Sequence, residues 1–234
     1  MTKLRIALLA GGDSSEREIA LNSAHQISEA LDREKYDVKV IDLHHRSWAY
    51  TENGQRYEMD KNDFSLTVEG VRYEFDYALI IIHGTPGEDG KLQGYLDMMG
   101  IPYSSCSQVS STITFDKVST KRAVAERGIN VAKEVFLHRG EVFSAETIVA
   151  KLGLPLFVKP NASGSSFGVT RVTSVEQIEE AIRLAFTESE EVLIEECITG
   201  REFGCGVLIT KDEELVLPIT EIVSKNAFFD YEAK

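Results

Sequence analysis

Chemistry-bearing residues cluster in a few short stretches of this chain. The apolar run Leu154-Pro155-Leu156-Phe157-Val158 delivers Lys159 to its end, and a loop of small residues, Asn161 to Gly168, follows before the β-type stretch Val169 to Val172. Burying an unpaired ammonium costs about several kcal/mol, so an anion close to Lys159 is expected. Small residues let backbone N–H groups approach phosphate oxygens, and the hydroxyls of Ser165 and Ser166 add donors. The competing reading is a solvated hairpin turn with Lys159 snorkelling to water. No Gly-x-x-x-x-Gly-Lys-Ser/Thr loop occurs, and the residues after the loop are strand-like. The expectation is therefore a flap between two antiparallel strands that closes over a triphosphate.

Four further groups carry possible chemistry. Glu16 follows Gly11-Gly12 in Ser14-Ser15-Glu16-Arg17-Glu18, and His83 ends the apolar run Tyr77 to Ile82. A histidine at the end of a parallel strand stands where such sheets place function, although a lone histidine also serves structural roles. Lys117 falls in the first turn of a helix expected over Asp116 to Arg127. A cation opposes the dipole there, so it is either exposed or held by an anion. The strand Glu191 to Glu196 turns acidic at its far end, as an edge strand running into solvent would, or as a hinge whose backbone meets a base.

The elements that must position these groups are legible in outline. Leu4 to Ala10 reads as a strand, Gly11-Gly12 as a turn, and Ser15 with Glu18 as a capping box opening a helix with apolar Ala20, Ala24, Ile27 and Leu31. Val38 to Leu43 completes a βαβ unit. Asn53-Gly54 and Glu69-Gly70 mark one or two hairpins that decorate the first domain. A helix over Lys91 to Met99 and a short strand at Ile101 to Tyr103 close it. Beyond a boundary of small polar residues, a helix pair begins, Ile129 to Phe136 reads as a strand, and Ser144 to Leu152 as a helix. Ser174 caps a helix over Val175 to Phe186. Arg201 to Ile209 and Leu215 to Val223 read as antiparallel strands.

Composition narrows the function classes. With 25 Lys and Arg against 38 Asp and Glu, the net charge of −13 disfavours nucleic acid and anionic membrane, and no basic run offsets it. Three cysteines without a Cys-x-x-Cys suit a reduced, cytoplasmic setting. No apolar stretch approaches the roughly 20 residues of a membrane span, and Ile6 to Ala10 is too short for a secretion signal. The dinucleotide fingerprint Gly-x-Gly-x-x-Gly is absent, which argues against NAD.

Taken together, Gly11-Gly12-x-Ser14-Ser15-Glu16-Arg17-Glu18, His83-Gly84-x-x-Gly87-Glu88-Asp89-Gly90, Asp116-Lys117, Lys159-Pro160-x-x-x-Gly164-Ser165-Ser166-x-Gly168 and Asp230-Tyr231-Glu232-Ala233-Lys234 resemble the D-alanine–D-alanine ligases. The resemblance implies an α/β protein of ATP-grasp architecture. Residues 1–105 would form an N-terminal α/β domain with a parallel sheet, 106–190 a central α+β domain with an antiparallel sheet and the flap, and 191–234 the start of a C-terminal domain. It implies that ATP phosphorylates the carboxylate of one D-alanine and that the amine of a second attacks the acyl phosphate.

By the same resemblance, Glu16 would take the first ammonium and orient Ser165, and His83 would lie beside the reacting carboxylate. Lys117 and Lys159 would hold ATP phosphates, with Ser165, Ser166 and Gly168 in the flap, and Lys234 the transferring phosphoryl group. Glu195, Glu196 and Ile198 would meet adenine and Glu202 the ribose. Two Mg2+ ions are expected, with ligands in a segment that family members carry beyond the Lys234 motif, so no metal ligands are expected within these residues. The chain is then expected to be the first part of a ligase, inactive alone; a homodimer is also implied. Another carboxylate–amine ligase of the same fold, or a nucleotide-binding fragment without activity, are the competing readings.

Overall fold

The computed structural model describes residues 2–223. Asp230 to Lys234, and with them the expected role of Lys234, lie outside the described residues.

Three parallel strands make the centre of the first sheet. Strand β1 (Leu4–Gly11) pairs with β2 (Tyr36–His44) on one side and β7 (Tyr77–Ile80) on the other. Helix α1 (Arg17–Ala30) crosses between β1 and β2, and its Ala20 and Ala24 are fully buried, so small side chains let the helix lie close on Leu8 and Ala10. Full burial of one leucine such as Leu8 is worth about 1.5–3 kcal/mol.

The expected hairpins extend this sheet. β3 (Ser47–Glu52), β4 (Gln55–Asp60), β5 (Ser65–Val68) and β6 (Val71–Glu74) continue from β2 as an antiparallel meander, giving the order β6-β5-β4-β3-β2-β1-β7. Asn53-Gly54 and Glu69-Gly70 are the two-residue turns, with all four residues at positive φ, the conformation that matches strand twist in tight hairpins. The opposite face from α1 is packed by Phe64, Leu66 and Ile41 against Leu92 and Leu96 of α2 (Lys91–Met99). Ile101 to Tyr103 makes only a single bridge, between Tyr103 and Ala78.

Two short helices, α3 (Gln108–Phe115) and α4 (Lys117–Ala125), lead to a second, wholly antiparallel sheet of order β10-β9-β11-β8. Its strands are β8 (Glu134–His138), β9 (Leu156–Pro160), β10 (Thr170–Val172) and β11 (Glu191–Glu196). Helices α5 (Ala145–Leu152) and α6 (Ile178–Ala185) share its core with Leu156, Val158 and Ile194. Ser174 and Gln177 form a capping box over a 3-10 turn that leads into α6.

Three expectations need correction. The α1 N-cap makes no side-chain capping bond, because Ser15 Oγ instead donates to Glu188 at 2.8 Å. β8 begins at Glu134 and not at Ile129, because the backbone before it is engaged elsewhere: Ile129 N–H closes α4 on Val124 O, and Ala132 O accepts from Lys121 Nζ. Arg201 to Ile209 is two strands in separate ribbons. β12 (Glu202–Gly204) pairs with β15 (Thr220–Ile222), and β13 (Val207–Ile209) with β14 (Glu214–Val216). The break falls at Cys205-Gly206, where Leu217 N–H donates to Gly206 O. Among the described residues no helix is long and apolar enough to cross a membrane.

Candidate active site between the first helix and the flap

Glu16 sits at the N-terminus of α1 and is almost fully buried. Its placement follows from its neighbours. Arg17 grips Asp42 on β2 through both carboxylate oxygens, at 2.7 and 2.8 Å, and donates to Leu43 O at 2.7 Å. Ser14 Oγ accepts from Glu16 N–H and donates to His83 O at 2.7 Å, tying the α1 N-terminus to the residue that ends the third parallel strand's run. Gly12 has φ +97, and a Cβ there would stand 2.6 Å from Ile82 Cγ2, so only glycine lets the two loops meet this closely.

The flap reaches the same point from the other sheet. β9 and β10 pair antiparallel, Val158 opposite Thr170, and residues 161–169 connect them. Within that connection Ser165 Oγ donates to Glu16 Oε1, and Gly164 passes so near that a Cβ would stand 2.3 Å from Glu16 Oε2, so the flap backbone meets that carboxylate directly. Ser165, Ser166 and Gly168 all have positive φ, which curls the loop back under Val169 N–H to Ser166 O.

Both phosphate-candidate lysines lie behind this loop. Lys117, first residue of α4, donates to Ser163 O at 2.8 Å and Asn161 O at 3.2 Å, so it is neither simply exposed nor held by an anion in these contacts. Burial, then the nearby charge of Lys159, pushes its ammonium down to about 8. Lys159 pairs with Glu195, whose other oxygen accepts from Lys121 Nζ at 2.5 Å. Burial raises the Glu195 carboxyl, yet Lys159 and Lys121 outweigh it and hold the group below the usual carboxylate range. β11 is flanked by β9 and β8, so the edge-strand reading of Glu195 and Glu196 fails.

The remaining candidates are less gathered. Glu196 Oε1 accepts from Lys133 N–H at 2.8 Å beside Cys197, whose N–H donates to Pro155 O. Ile198 is 69% exposed and Glu202 opens the outer ribbon β12. The His83 carbonyl accepts from Ser14 Oγ, which ties the residue to the start of α1.

Sequence reasoning missed Asn161. It is fully buried, donates to Asp116 and to Glu191 at 2.8 Å, and accepts Val118 N–H at 3.0 Å, so it locks the α4 N-terminus to the end of β9 and sets Lys117 beside Lys159. Lys121 was missed as well, although its spacing of four from Lys117 places it one turn along the same helix face.

A cleft of about 730 Å3 opens between the sheets, lined by Asp13, Glu16, Asp89, Asp116, Gly164 and Glu188 among others; neither Lys117 nor Lys159 lines it. Lys91 and Arg139 also line it, but acids outnumber them and suit an amine, whereas the two lysines beside the flap suit phosphate. Among the described residues, the group close enough to share a metal is Asp13, His44 and His45, all exposed. Its two imidazoles do not suit Mg2+, which takes hard oxygen ligands.

Known proteins share the family and the fold. The family descriptions D-ala D-ala ligase N-terminus and D-ala D-ala ligase C-terminus match residues 5–106 and 123–234. The D-alanine–D-alanine ligase of Phocaeicola vulgatus is 47% identical over 233 residues, covering 99% of this chain and 72% of the relative. The crystal structure of D-alanyl-alanine synthetase A from Vibrio cholerae superimposes with a TM-score of 0.85 at 32% identity, over 99% of this chain and 71% of that one. The Bacillus anthracis D-alanine–D-alanine ligase complexed with ATP gives a TM-score of 0.70 at 32% identity, over 94% of this chain and 66% of that one. A helix that presents a buried glutamate to a serine flap, both sheets of the ATP-grasp fold, and relatives matched along nearly the whole chain make this protein a member of the D-alanine–D-alanine ligase family.

Proposed function

We propose that this protein is the ATP-dependent ligase that joins two D-alanines to D-alanyl-D-alanine for peptidoglycan synthesis. The observation that carries the reading is the Ser165 to Glu16 hydrogen bond, which brings the flap that begins at Lys159 onto the helix that offers a buried carboxylate. Glu16 pairs with the ammonium of the first D-alanine, at the helix end where a carboxylate is favoured. His83 lies beside the carboxylate that becomes phosphorylated. Lys117 and Lys159 hold ATP phosphates, while Ser165, Ser166 and Gly168 shape the flap around them. Glu195, Glu196 and Ile198 form a hinge whose backbone meets adenine, and Glu202 receives the ribose. Lys234 takes the transferring phosphoryl group.

Positioning and charge stabilisation are what phosphoryl transfer asks of a protein. The carboxylate oxygen attacks the terminal phosphorus and ADP leaves; the second amine then attacks the acyl carbon and phosphate leaves with that oxygen. Mg2+, as two ions, would neutralise the triphosphate when bound, but the described residues offer no oxygen-rich site for it, and no step here runs through it. Three domains, a homodimer and a cytoplasmic location belong to the same reading. The free thiols Cys106, Cys197 and Cys205 are compatible with that location.

ADP formation by the full-length protein is the test. It should require D-alanine, with L-alanine and D-lactate as controls, and mass spectrometry should find the dipeptide. Equal ADP formation with L-alanine would favour a different carboxylate–amine ligase of this fold.

A further inference from the structure

Lys121 carries no role in the reading above, yet from α4 it reaches carboxylates on β8 and β11 of the second sheet. Its side chain is 13% exposed. Its ammonium meets three acceptors: Glu195 Oε1 at 2.5 Å, Ala132 O at 2.8 Å, and the Glu134 carboxylate. Glu195, 11% exposed, uses its second oxygen on Lys159. The four side chains form a row, Glu134, Lys121, Glu195, Lys159, in which charges alternate and cancel. Lys159 is the member at the flap end, next to Lys117.

This row decides how firmly Lys159 is held. A buried carboxylate with one cationic partner grips that partner strongly, because separation would leave it uncompensated; with two partners, each is released more easily. We infer that Lys121 is a positioning residue for nucleotide binding: by sharing Glu195, it leaves Lys159 available to a phosphate. The inference rests on the proposed phosphate role of Lys159 and extends it to a residue one step removed. Glu134 sets the balance from the other end, since it draws Lys121 away from Glu195.

The row makes signed predictions. In Lys121→Met, Glu195 keeps only Lys159, so ATP and ADP affinity should fall about tenfold, while affinity for adenosine, which has no phosphate, should change less than about twofold. Lys121→Arg should restore most of the loss. Glu134→Gln should act in the opposite direction, tightening ATP about two- to threefold, because Lys121 then belongs wholly to Glu195.

The experiment is competitive nucleotide binding by the wild type and the three variants, with ATP, ADP and adenosine as probes and thermal unfolding measured alongside. An ATP-selective loss in Lys121→Met with rescue by arginine supports the inference. Unchanged ATP affinity in that variant overturns it, and so does an equal loss for ATP and adenosine, which would mean that β11 itself had moved. Should Lys121→Met not fold, Glu134→Gln decides alone: weaker or unchanged ATP binding overturns the inference. Wild-type protein that binds no ATP would instead remove the nucleotide reading beneath it.

Discussion

Ser165 and Glu16, 149 residues apart in sequence, share a hydrogen bond that joins the flap of one sheet to the first helix of the other. Ser15 repeats the connection one residue earlier, donating to Glu188 at 2.8 Å. The buried Glu16 carboxylate and the flap loop are thus oriented by each other. A change at either should be felt as a loss of substrate positioning more than of folding.

Glu16→Gln keeps the shape and the hydrogen bond but removes the charge that an ammonium needs. KM for the first D-alanine should rise by about ten- to a hundredfold, with the KM for ATP changed far less; steady-state kinetics with each substrate varied separate the two. A comparable rise in both would contradict the division of roles.

With Lys117 holding a phosphate as proposed, nucleotide affinity is linked to pH. The folded value of Lys117, about 8, lies below the ordinary 10.5, so the unfolded chain holds more protons between those values. Stability of the free protein should therefore rise with pH across that window. A phosphate stabilises the ammonium, so nucleotide binding takes up a proton and ATP affinity should fall as pH rises above about 8. Calorimetry in buffers of different ionisation enthalpy reads the uptake, and Lys117→Met should abolish it.

Asn161→Ala removes a fully buried amide that separates Asp116 from Glu191 and satisfies Val118 N–H. The expected loss is about 2–4 kcal/mol of stability, read by urea unfolding, together with weaker ATP binding as the N-terminus of α4, which carries Lys117, loses its side-chain tie to β9.

Much of this site was legible in the sequence, and the reason is local. Glu16, Lys117, Lys159, Ser165 and Ser166 stand in runs whose residue types already state a need: an acid after a Gly-Gly turn, a lysine ending an apolar strand, small residues after it. The Asn53-Gly54 and Glu69-Gly70 turns were legible for the same reason, since their residue types fit positive φ. What stayed hidden was long-range. Ser15 looks like a helix cap until Glu188 claims its hydroxyl from 173 residues away. Ile129 and Val131 alternate like a strand but remain 57% and 39% exposed, because the carbonyl of Ala132 serves Lys121. Asn161 and Lys121 have ordinary neighbours in sequence, and only the packing of α4 on β9 and β11 gives them their charges to manage.

The Arg5 guanidinium, with Arg5 N–H, holds the Asp76 carboxyl down to about 2. A depressed carboxyl stabilises fully above its unfolded value of 3.8 and loses that contribution as pH falls toward 2. Asp76→Asn should unfold at a lower temperature than wild type near neutral pH, and the gap should close as pH falls from about 4 to about 2.

The most direct test of the account follows the oxygen. If the first D-alanine carboxylate attacks ATP, D-alanine labelled with 18O in its carboxylate must pass one labelled oxygen to the phosphate released with the dipeptide. The account predicts phosphate carrying one 18O for each dipeptide formed. Dipeptide accompanied by unlabelled phosphate would contradict it, because no acyl phosphate would then have formed.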